Sequence, residues 1–199
     1  MSRFPVQSLT PTGGTCSALV FNNPLAGVAR DLFWQFTITF AEVDYGGGCK
    51  PSMTIDWVPL RPPTWPQLVR HSVAGRYGDG GIEASFYTFE HDHGDRFGLQ
   101  VMDRRGVEFL VRMAMEVDFH GSGAHDPYLL EVQAQAWLPF TGLTVQVDPP
   151  ARDAAEAGHV AAEFISMEQL TCEQAAAGNA TRYRFIPIAP APAAPTDQL

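Results

Sequence analysis

Apolar and polar residues alternate along much of the chain with a period of two. Between Trp34 and Phe40, Trp34, Phe36, Ile38 and Phe40 fall on one face and Gln35, Thr37 and Thr39 on the other, the pattern of a strand with one buried side. The Gly46-Gly47-Gly48 run then supplies the positive φ values that a reversal needs. Met53, Ile55 and Trp57 alternate with Thr54 and Asp56, which predicts a second strand and an N-terminal hairpin. Pro59 and Pro62-Pro63 end it, because proline cannot donate to a sheet ladder. Thr64 reads as an N-cap and Gly75 as the residue past a helix end, framing a short helix from Trp65 to about Ala74.

Four further segments read as strands: 82–90, 97–103, 107–119 and 128–138. The third is the clearest, since Val107, Phe109, Val111, Met113, Met115, Val117 and Phe119 occupy every second position and no helix has that period. Arg104-Arg105-Gly106 is short enough for a tight antiparallel connection, and 90–96 and 120–127 are short enough for hairpins. These four segments predict an antiparallel meander. A short strand at 143–147 stops at Pro149-Pro150, and Asp153 caps a long helix from Ala154 to about Gln169, where Val160, Phe164, Ile165 and Met167 recur at helical spacing. Residues 182–188 read as a last strand.

The expectation is α+β: a predominantly antiparallel sheet, with a meander of about four long strands plus the hairpin, packed with one short and one long helix. Residues 1–31 read as an irregular arm whose one short apolar run, Ala18-Leu19-Val20-Phe21, could lay a strand on the body, 32–188 as a single domain and 189–199 as a disordered Pro/Ala tail. Whether the sheet closes into a barrel stays open.

Composition narrows the function. The 199 residues carry 22 acidic and 13 basic side chains, a net charge of −9, which excludes affinity built on neutralising phosphates. Between residues 82 and 148 there are 11 acidic and 4 basic side chains, so the acidity sits on the meander. Three widely spaced cysteines, Cys16, Cys49 and Cys172, make no disulfide framework and no zinc spacing. Pro11, Gly13 and Gly14 interrupt the stretch in which a signal peptide would need an apolar core, so a cytoplasmic protein without membrane or nucleic-acid partners is expected.

Two candidate sites follow. The outward positions of the meander, Glu108, Arg112, Glu116, Asp118, Glu131 and Gln133, form a polar face able to steer a basic protein partner. The leading expectation is therefore a non-enzymatic acidic binding module of the inhibitor, immunity or adaptor type, with no cofactor. The alternative is a metal-dependent enzyme or metal-binding protein. In an up-and-down meander the first and third connections share one rim, and they carry His91, His93, His120 and His125 among Asp and Glu, donors suited to zinc or another divalent metal. Solvated polar loop tips explain the same residues. A third reading, a carrier with a pocket inside the curved sheet, rests on aromatic content alone. Trp57 and Trp65 bracket the proline-rich segment, where an aromatic surface could form.

Overall fold

The computed structural model describes residues 4–118, 129–173 and 182–188. It contains β1 (Pro11–Asn23), β2 (Val28–Phe40), β3 (Ser52–Val58), β4 (Ser72–Arg76), β5 (Glu83–Tyr87), β6 (His91–Arg105), β7 (Glu108–Asp118), β8 (Leu129–Gln146), α1 (Ala154–Ala162), β9 (Leu170–Cys172) and β10 (Tyr183–Pro187). Seven strands, in the order β1, β2, β3, β5, β6, β7 and β8, form a closed barrel, because β8 also pairs with β1. Each neighbour along that path is antiparallel to the next, whereas β1 and β8 are parallel, from Cys16 opposite Phe140 to Phe21 opposite Gln146. Parity requires this. With an odd number of alternating strands, the first and last run the same way.

The alternation in sequence becomes inside and outside. Trp34, Phe36, Ile55, Phe86, Phe109 and Val111 are completely buried, and Trp34, Trp65 and Phe109 all pack against Phe140 at ring-centroid distances of 5.5, 5.3 and 6.4 Å. A barrel of about eight strands is just wide enough for its interior to be filled by side chains. Seven strands carrying this many aromatics pack the described interior as a core. Burying each such side chain contributes roughly 1.5–3 kcal/mol.

The remaining strands lie off the barrel path. β6 is long enough to pair with β5 through its first residues and with β4 through its later ones, from Arg96 to Gln100. β10 pairs with Leu143–Val145 of β8, residues whose other edge is taken by β1, and β9 extends the sheet from β10.

Among the described residues, a closed barrel with one α-helix replaces the expected meander sheet packed on two helices. The predicted short helix is a single 3-10 turn at Trp65–Leu68 followed by β4. Arg70 takes a positive φ of 72°, and the backbone is captured by β6, with Arg70 N donating to Val101 O at 2.7 Å and Val101 N to His71 O at 2.9 Å. Tertiary pairing has overridden a cap-and-stop signal. The long helix stops at Ala162, and the chain turns back so that Ser166 N reaches Pro63 O at 2.9 Å and Trp65 Nε1 reaches Gln169 O at 3.2 Å. The arm holds a 13-residue strand built into the barrel, far longer than the four-residue apolar run that could be expected to form one. Cys16, Ala18 and Val20 face inward there, but the outward Leu19 and Phe21 made the sequence read as one unbroken apolar run. The tail at 189–199 lies outside the described residues.

Candidate functional site

The expected histidine rim is divided. His91 and His93 lie within β6, not in a connection, and both are exposed. They are two residues apart on one face, which spaces them by roughly 7 Å along a strand. Each ring is occupied by an aromatic neighbour: His91 lies 5.0 Å from Tyr87, and His93 lies 4.3 Å from Tyr77. Asp92 between them turns inward and is buried. His120 and His125 lie outside the described residues. Among the described residues, no three His, Cys, Asp or Glu side chains gather in a way that could hold a metal ion.

The predicted protein-binding residues share one outer wall. Glu108, Arg112 and Glu116 project from β7, and Glu131 and Gln133 from β8, with the backbone of Asp118 closing the ladder opposite Leu129. The register builds three rows across β6, β7 and β8. One row is Arg96, Glu116 and Glu131; the next is Gly98, Ala114 and Gln133; the third is Gln100, Arg112 and Gln135. Small residues in the middle row leave a furrow between charged and polar rows, a depression of about 160 Å³ lined by Arg96, Gly98, Ala114, Glu116 and Glu131. Arg96 Nε lies 3.6 Å from Glu116 Oε2, and Arg112 Nη2 donates to Gln135 Oε1 at 3.4 Å. Glu116 and Glu131 stand directly opposite each other, an arrangement of like charges that costs stability.

A third site was not foreseen from the sequence. On β2 and β3, Trp34 pairs with Val58 and Phe36 with Ile55, so one residue, Gln35, faces two, Asp56 and Trp57. That is a β-bulge, a device that redirects side chains and is common beside functional sites. Trp57 sits at φ 60°, a conformation that is an outlier for a bulky residue and costs on the order of 1–3 kcal/mol. The bulge turns both side chains outward into a depression of about 160 Å³, with Ser17, Leu19, Phe33 and Gln35 completing its walls. The Trp57 indole packs at 5.4 Å against both Phe21 and Phe33. Ser17 Oγ donates to Gln35 Oε1 at 3.4 Å, and the Gln35 side chain stands beside the Asp56 carboxyl.

Asp56 Oδ1 is shielded from water and has no hydrogen-bond partner among the described residues. A buried acceptor left unmatched costs about 1–3 kcal/mol. Burial raises the Asp56 carboxyl above its ordinary pKa, the Gln35 side chain opposes this, the neighbouring charge of Glu83 adds to it and His91 counteracts it.

No family model matches the chain, and no curated protein and no solved structure matches it either. The sequence did carry one signal of the bulge: Trp57 and Val58 are consecutive apolar residues, which breaks the alternation. Read as one face with Met53 and Ile55, Trp57 was expected to share their side of the strand. In the structure Val58 is buried and Trp57 faces outward. Trp57 and Trp65 form no common surface, since Trp65 is buried in the core.

Cys16 and Cys49 are buried thiols. Burial pushes Cys16 well above its ordinary pKa, and burial followed by the charge of Glu42 raises Cys49. A raised pKa suppresses the nucleophilic thiolate. No described helix is long and apolar enough to cross a membrane.

Proposed function

We propose that the protein is a non-enzymatic binding module that recognises a basic segment of another protein through the furrow on β6, β7 and β8, acting as an inhibitor, immunity protein or adaptor. The supporting observation is the pairing of Glu116 with Glu131 at the border of a floor made of Gly98 and Ala114. Arg96 stands 3.6 Å from Glu116 in an exposed pair that contributes about 0–1 kcal/mol, and no cation among the described residues pairs with Glu131. A lysine or arginine of a partner placed between the two carboxylates would complete the balance. The sheet hydrogen bonds of this wall are already used within the barrel, so recognition runs through side chains rather than strand addition.

The test uses two variants in pull-downs from the native host. Glu108→Lys/Glu116→Lys/Glu131→Lys reverses the field. Gly98→Val fills the furrow without disturbing the fold, since a Cβ at Gly98 meets no atom within 4 Å and valine suits a strand better than glycine. A specific partner held by the wild type should be lost from both, and its capture should weaken as salt rises. Retention of the same partner by both variants contradicts the proposal.

A further inference from the structure

The bulge on β3 lies among ionisable groups from the neighbouring strands. Asp56 stands directly opposite Glu83 in the β3–β5 ladder, and His91 of β6 is close enough to act on the same carboxyl. Two carboxylates in that register repel each other. Asp56 Oδ1 is shielded from water and has no hydrogen-bond partner among the described residues, so nothing there offsets a charge on it. The same bulge holds Trp57 at φ 60°, a strained backbone for a bulky residue, with its indole packed against Phe21 of β1 and Phe33 of β2. One movement relieves both features: rotation of Trp57 out of the left-handed region lifts the indole from the depression that it shares with Asp56. The charge on Asp56 sets the balance, because a neutral carboxyl neither repels Glu83 nor needs water around it.

We propose that the bulge is a proton-operated catch: with Asp56 protonated, Trp57 stays seated on Phe21 and Phe33, and with Asp56 and Glu83 both ionised, the indole is released and the Asp56 carboxylate opens to water. Burial is the largest effect holding the proton on Asp56; Gln35 opposes it, Glu83 adds to it and His91 counteracts it. The catch is therefore closed below the ordinary carboxyl value of 3.8 and opens as pH rises through the raised value of the seated form. The other walls of the depression, Ser17, Leu19, Phe33 and Gln35, carry no charge. Asp31, farther along β2, is paired with Arg61. The catch is independent of the furrow on β6, β7 and β8 and survives its failure.

The test is an NMR pH titration of the full chain from about pH 4 to about pH 8, reading the NOEs from the Trp57 indole to the Phe21 and Phe33 rings, which report seating rather than charge alone. The wild type should show these NOEs at the acid end and lose about half of their intensity or more by the alkaline end. Asp56→Asn should keep them at full strength throughout, because an amide cannot ionise. Glu83→Gln is a second variant, exposed on β5 and clear of the core; it should retain more intensity than the wild type at the alkaline end, since the repulsion that drives release is gone. NOEs that persist undiminished in the wild type overturn the proposal. So does a pH-dependent loss in Asp56→Asn, an absence of the NOEs from that variant at every pH, or a loss in Glu83→Gln as deep as that of the wild type.

Discussion

At neutral pH the Asp56 carboxylate is a liability to the fold that a neutral residue would not be. Its folded pKa is raised, chiefly by burial, so its protonated form is favoured by folding. The stability it contributes is fully present below the ordinary carboxyl value of 3.8 and is lost as pH rises through the raised folded value. Asp56→Asn removes that loss. Urea denaturation should find the variant at least as stable as the wild type at pH 7, with the advantage shrinking as pH falls toward 4; a variant clearly less stable at pH 7 would show that the charge is structural. Residues of this kind were poorly legible in sequence. Asp56 and Trp57 read as ordinary members of an alternating strand, because a bulge depends on what stands opposite, here Gln35. Glu116 and Glu131 were legible as outward positions, although nothing local to either shows that they face each other.

Elements were legible where one face is apolar and the other polar. β7 was read almost to its ends, and the inward set Phe109, Val111, Met113, Met115 and Val117 is buried as the alternation requires. The pattern failed where both faces carry apolar residues, as in β1, and where capping signals were outvoted by pairing, as at Trp65–Leu68 and β4. β1 also shows how a single atom limits an element. Gly14 sits at φ 147°, and a Cβ there would overlap the Thr37 carbonyl oxygen and crowd Leu138. Gly14→Val should therefore destabilise by about 3 kcal/mol or more, since neither the backbone of β2 nor the core can yield. Thermal and urea unfolding measure it directly, and a cost below about 1 kcal/mol would mean that β1 does not pass so close to β2.

The whole molecule was the least legible scale. Closure joins residues near Cys16 to residues near Phe140 in parallel, a pairing across most of the chain that leaves no local trace in composition or period. The sequence reading supplied most of the barrel strands and left the closure open; the count of seven, which forces the parallel seam, needed β1 to be recognised as a strand. Closure also gives the acidity a shape. The outward positions of β6, β7 and β8 become a wall with a furrow, while the bulge on β3 opens a second depression under β1 and β2. Separating these two surfaces matters more than any overall charge, because either could engage a partner.

The measurement that decides between them is amide chemical-shift mapping of the protein in complex with the partner it captures. The proposed function predicts that the largest perturbations fall on Gly98, Ala114, Glu116, Glu131 and Gln133, and that Ser17, Gln35 and Trp57 barely move. Perturbations centred on Ser17, Gln35 and Trp57, with the β6–β8 wall unchanged, would contradict it.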